Sequence, residues 1–171
     1  MKRTRLAGAV YVVTFVAGTI SLLDRGTVGL TAGLIAAVSY IGVTCLLYGL
    51  FKPVHAQLSL VAAIVSFAGI VAAALRIAAI SPLVFFAIYC LLVGYLSLDS
   101  TFVPRLVGGL MLFAGCGWLT FASPSLARAL YPYNLAPGLI GEGSLTIWLL
   151  FARSAPVANV SPASASAFSE K

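Results

Sequence analysis

The feature that constrains this chain most is the spacing of its polar breaks. Apolar runs of similar length lie at about 6–23, 28–51, 57–80, 82–98, 104–122 and 135–151, with only a few polar residues between most of them. Each is close to the ~20 residues that, rising ~1.5 Å apiece, cross ~30 Å of hydrocarbon. The expectation is an all-α, polytopic transmembrane helix bundle of six spans occupying residues 1–152. A Ser/Ala/Pro-rich tail with no apolar period follows over 153–171 and is expected to be disordered and cytoplasmic.

Composition agrees, since 61% of the 171 residues are hydrophobic and 8% are charged. A soluble domain carries roughly one-quarter charged residues, so a water-soluble core is excluded. The basic start Met1-Lys2-Arg3-Thr4-Arg5 resembles that of a secretory signal, but the apolar run is too long and lacks a small-residue cleavage site, and it reads as a retained first span. Asp24-Arg25-Gly26 makes the first turn. Lys52-Pro53 ends the second run, because the residue before a proline is pushed out of the helical region. Ser81-Pro82 reads as an N-cap followed by proline at the first helical position, and Pro104-Arg105 opens the fifth helix in the same way. Over 123–134, Ser123 and Pro124 can start a short interfacial helix with Leu126, Ala127, Leu130 and Tyr131 on one face.

Small residues mark where helices approach. Gly29, Gly33 and Ala37 recur at four-residue spacing in the second run, and Gly108, Leu112 and Gly115 share a face of the fifth. In lipid such residues permit close backbone packing, and the fifth helix is expected to be central in the bundle.

Charge sets the expected orientation. Lys2, Arg3, Arg5, Lys52, Arg105, Arg153 and Lys171 fall on one side of six spans, against Arg25, Arg76 and Arg128 on the other. The positive-inside rule then puts both termini in the cytoplasm. Because the ten Lys and Arg are scattered singly at the ends of apolar runs, they are the mark of membrane placement and no nucleic-acid footprint. Cys45, Cys90 and Cys116 each sit within an apolar run without metal-type spacing and read as small thiols.

Two ionisable residues lie well inside apolar runs, Arg76 in the third and Glu142 in the sixth. Such a group costs ~2.5–3.5 kcal/mol at a span's centre on insertion scales, so the pair is the candidate intramembrane polar site, placed at similar depth by alternation of the spans. Their plain readings are a snorkelling helix-end arginine and a carboxylate near a helix N-terminus. Asp99 and Arg105 form a candidate pair across the cytoplasmic turn, and the single histidine, His55, reads as a turn residue. No catalytic signature is present: there is no nucleophile elbow, Walker loop or zinc-protease helix, nor a histidine pair for haem. No cofactor or metal site is expected.

The segments RLAG at 5–8, LYGLFKPV at 47–54, YLSLDSTFVPRLVG at 95–108 and GEGSLTIWLL at 141–150 resemble a bacterial integral-membrane family, domain of unknown function 4386. The resemblance implies a multi-pass inner-membrane protein and brings no established activity with it. A non-enzymatic binding or accessory membrane component, with lipid around it and a possible homo-oligomer or larger membrane complex as partner, is the leading expectation. A small transporter or channel using Arg76 and Glu142 is the alternative, and a membrane-embedded lipid enzyme using His55 or Asp99 is the third.

Overall fold

The computed structural model describes residues 2–24, 26–75 and 81–152. Arg76, the end of the third run and the tail after 152 lie outside them. Among the described residues all regular structure is helical: α1 (Lys2–Leu23), α2 (Thr27–Phe51), α3 (Ala56–Ala74), α4 (Pro82–Asp99), α5 (Arg105–Leu119), α6 (Pro124–Leu130) and α7 (Ala136–Phe151). Short 3-10 turns at Thr120–Ala122 and Tyr133–Leu135 flank α6. Five helices, α1 to α5, are long and apolar enough to cross a membrane. The sixth run forms α7, whose 16 residues are shorter.

These are helices of a membrane protein because they are apolar on every side. α2 buries Val43, Leu47 and Phe51, yet exposes Leu30, Leu34, Ile35 and Val38. A soluble amphipathic helix would place polar residues on that outer face.

Neighbours in sequence pack together: α1 on α2, α2 on α3, α3 on α4 and α4 on α5, and α7 closes the ring against both α5 and α1. Glycines show how tightly. A methyl built on Gly115 would lie 2.6 Å from Leu91 Cγ and 3.0 Å from the Ala87 carbonyl oxygen, and one on Gly94 would lie 2.8 Å from the Leu112 amide nitrogen. Gly141 meets the Leu110 carbonyl oxygen and Ala114 Cβ with no room for a side chain. α5 is thus held from both flanks, through Gly108 and Gly115 by α4 and through Ala114 and Gly117 by α7. It is not central, however, since Leu106 and Phe113 on its third side are exposed. A ring of six gives every helix one outer face.

The ring has two distinct ends. Gly8 of α1 lies against Leu149 and Leu150 of α7, so the start of the first helix and the end of the last share one end with the turn between α4 and α5. There Phe102 of that turn stacks at 5.9 Å on Phe51 and lies 6.1 Å from Trp148, above the buried Leu96, Val103 and Leu149. The opposite end holds Leu23, Pro82, Leu119 and α6.

Candidate functional site

Glu142 sits in the second turn of α7 and is 4% exposed. Its carboxylate takes one hydrogen bond on each oxygen. Trp118 Nε1 of α5 donates to Oε1 at 2.9 Å, and the Tyr11 hydroxyl of α1 donates to Oε2 at 3.3 Å. An indole N–H can only donate and a carboxylate can only accept, so the pairing is chemically matched, and among the described residues nothing else takes a lone pair of either oxygen.

Local sequence explains the arrangement. Gly138, one turn before Glu142, has no side chain where the Trp118 indole lies: a methyl there would stand 2.5 Å from Cε2 and 2.7 Å from Nε1. The indole can therefore cross α7 and present its N–H to the carboxylate. Gly141 brings the α7 backbone onto α5, whereas Gly143, on the other flank of Glu142, faces open space. Thr146 Oγ1 donates to the Glu142 carbonyl at 2.7 Å, which satisfies that hydroxyl within the helix itself.

Above Glu142 a cleft of about 440 Å³ opens between α1, α2, α4, α5 and α7. Aromatic rings wall it. Tyr11 and Phe15 lie 5.4 Å apart on one side, and Tyr40, Phe86 and Trp118 run along the other at successive separations of 5.3 and 5.5 Å, both edge to face. Thr14, Gly18, Ala36 and Ala37 leave the space between them. On the far side of Glu142 the interior is solid, with Leu145, Leu149 and Met111 fully buried. Beside the cleft, Thr44 and Ser66 share a hydrogen bond of 2.7 Å, and the hydroxyls of Tyr40 and Tyr89 are buried with no hydrogen-bond partner among the described residues.

The other expected residues are elsewhere. Arg76 lies outside the described residues. Asp99 and Arg105 are both exposed, and the turn between them is closed by Ser100, whose Oγ donates to the Ser97 carbonyl at 2.7 Å and accepts from the Val103 amide at 3.2 Å. His55 is an exposed N-cap of α3, its Nδ1 accepting from the Leu58 amide at 3.2 Å. Cys90 is buried, and Cys45 and Cys116 are exposed free thiols. Reading the sequence missed Tyr11, Tyr40, Phe86 and Trp118. The available signal was Gly138 and Gly141 around an intramembrane acid, since small residues beside a buried charge leave room for a large partner.

The family described as Domain of unknown function (DUF4386) matches residues 72–152. The match contains the segments at 95–108 and 141–150 that carry the resemblance, and with them Trp118 and Glu142. The earlier segments, and Tyr11 and Tyr40, fall before it. No curated protein and no solved structure matches the chain.

Proposed function

We propose, taking as premise that residues 72–152 carry the DUF4386 domain, that the chain is a six-span bacterial inner-membrane protein with both termini cytoplasmic, acting as a non-enzymatic binding component through the Glu142 cleft. The sixth crossing is supported by the antiparallel contact of Gly8 with Leu150, as an even number of spans requires. α7 with its leading 3-10 turn also supplies ~30 Å of rise. Among the described residues Arg3, Arg5, Lys52 and Arg105 lie at the end where α1 starts and α7 finishes, against Arg128 at the other, which supports that end as cytoplasmic. A reporter active only outside the cytoplasm should be silent after Lys171 and active when inserted near Ala129; the reverse would overturn the orientation.

The single observation that carries the binding reading is a cleft that reaches an intramembrane carboxylate and stops there. Its size falls in the ~300–1,000 Å³ range of small-molecule sites, and its wall is apolar with a few polar groups, as such sites are. In a chain whose native cysteines are replaced by serine, a water-soluble maleimide should label Thr14→Cys in the cleft and leave Leu145→Cys unlabelled. Failure of Thr14→Cys to react would make the cleft a lipid-filled seam and end this reading.

A carrier is the second reading. It is favoured by the asymmetry of the ring, open above Glu142 and plugged by Phe51, Phe102 and Trp148 below, as one state of an alternating-access cycle would be. Ligand flux in proteoliposomes separates it from simple binding. The enzyme reading draws no support, because His55 commits its Nδ1 to capping α3. Arg76, the partner expected for Glu142, would compete with a ligand for the same carboxylate, and a double-mutant cycle decides between them: strict additivity of Arg76→Met and Glu142→Gln leaves the carboxylate to the ligand, whereas a double mutant that loses less than the sum assigns it to Arg76 and ends the binding reading. Membrane lipid is the proposed neighbour of the outer faces. Association with a second copy or a larger complex would use those faces too, since Gly108, Gly115, Gly117 and Gly141 are taken up inside the bundle.

A further inference from the structure

We infer that the Glu142 cleft binds a lipophilic organic monocation, an ammonium or phosphonium group bearing apolar substituents, entering from the end that holds α6. The inference rests on the binding reading above and adds the charge and chemical class of the ligand.

Three features of the site converge on that class. The first is the wall: Tyr11, Phe15, Tyr40, Phe86 and Trp118 present ring surface to one space. The ring quadrupole attracts a cation placed over its face, and cages of several rings recognise cations whose charge is buried under alkyl or aryl groups. The second is the floor. Among the described residues Glu142 is the sole acid lining the cleft, and the two donors they supply, Trp118 Nε1 and the Tyr11 hydroxyl, hold one lone pair on each oxygen and leave the other pair unused. Those same donors fix the carboxylate, so it need not be ordered when a ligand arrives. The third is the absence of any Lys or Arg among the described residues that line the space, which leaves the site an anionic, aromatic box.

An anion meets the reverse fit. It would meet the Glu142 carboxylate with no cation among the described lining residues to offset the repulsion. A neutral apolar molecule would gain nothing from Glu142, and a small hydrated metal cation would lose its water against ring carbons without enough oxygens to replace it. A cation that wears its own apolar shell avoids that loss, because its charge is already poorly hydrated and its substituents pack against the rings.

Tetraphenylphosphonium and tetraphenylborate test this directly, since they share size and shape and differ in the sign of charge. With the purified full chain in dodecyl maltoside micelles, whose headgroups carry no charge, calorimetric titration should show saturable binding of the phosphonium and at least about tenfold weaker binding of the borate. Glu142→Gln keeps the shape of the acid and should weaken phosphonium binding about tenfold or more while removing the preference over borate. Phe86→Leu, a milder change that keeps Glu142, should weaken it several-fold and reduce the preference without removing it. Equal binding of the two ions, or unchanged phosphonium affinity in folded Glu142→Gln, overturns the inference even if Thr14→Cys is labelled and the cleft is a binding site. Repeating the titration in phosphatidylcholine nanodiscs separates a free cation from a lipid headgroup. Unchanged affinity supports a free ligand, and loss of binding to competing choline headgroups would overturn it.

Discussion

Each end of the ring carries one tryptophan, and the two are used in opposite ways. Trp148 of α7 joins Phe102 and Phe51 in a stack that fills the end where α1 starts and α7 finishes, over a floor of Leu96, Val103 and Leu149. Trp118 of α5 joins Phe86 and Phe121, with Tyr40 beyond, yet there the rings line a cleft of about 440 Å³ and the indole N–H is spent on Glu142. Similar aromatic content thus makes a plug in one place and a site in the other. Two things separate them: a carboxylate, and the small residues Gly18, Ala36 and Ala37 that decline to fill the space. A cavity in a membrane bundle is cheap to keep only if something polar or a ligand uses it, since an unfilled gap forfeits the dispersion contacts that hold helices together in lipid.

The largest effect should come from the seam shared by both ends. Gly141→Leu would drive a side chain into the Leu110 carbonyl and Ala114, where backbone must move, and should cost about 3 kcal/mol, the upper part of the usual range for overpacking. Gly143→Leu, two residues on, meets nothing within 4 Å and should leave the melting temperature in detergent nearly unchanged. Equal losses would mean that α7 does not seat on α5 as described.

Next comes a contrast between the ends. Phe51→Ala removes a ring that is 1% exposed in the plug. In lipid the transfer term for an apolar side chain largely cancels, so the cavity and lost packing remain, about 2 kcal/mol. Phe86→Ala removes a half-buried ring that already borders the cleft and should cost clearly less, about 1 kcal/mol. If Phe86→Ala proves the more damaging, the cleft end is packed and the comparison between the ends fails.

How much of this was legible in the sequence depends on the scale of the feature. Helix positions followed from apolar run length and from Pro53, Pro82, Pro104 and Pro124, because backbone hydrogen bonding and proline geometry act over neighbouring residues. Two of the glycines read as packing contacts, Gly108 and Gly115, indeed lie against a neighbouring helix, α4. Glu142 stood out because a charge in an apolar run is conspicuous. Its partners did not. Tyr11 and Trp118 are ordinary aromatic residues in apolar runs, 131 and 24 residues away from Glu142 in sequence, and only ring closure of α7 against α1 and α5 brings them together. The placement of α5 as central failed for a related reason: small residues show that a helix is closely packed and say nothing of how many sides are covered.

An effect of similar size sharpens the description of the site. Trp118→Phe keeps the aromatic wall and removes the N–H given to Glu142 Oε1, so the folded protein should survive with a loss of about 1–3 kcal/mol, the range for leaving a buried acceptor unpaired. Gly138→Ala should act on the same contact without touching either partner, because its methyl displaces the indole. In both variants the near-ultraviolet dichroism of the indole should change. A signal unchanged in Gly138→Ala would mean that Trp118 has another seat.

The smallest expected change in stability belongs to Gly18→Leu, and it bears most directly on the contrast between the ends. Gly18 lines the cleft, and a methyl built on it meets nothing within 4 Å. A leucine there can extend into the cleft without displacing a neighbour, and replacing glycine inside a helix by a better helix former favours folding by up to about 1 kcal/mol. The melting temperature should therefore hold or rise slightly, the opposite of what Gly141→Leu does with the same chemical change. Filling the cleft should at the same time abolish labelling of Thr14→Cys and displace any ligand held over Glu142. A variant that keeps its stability and loses access identifies the space as one kept open for a reason other than packing, while a variant that loses stability would show that the cleft closes in the membrane and that both ends of the ring are plugs.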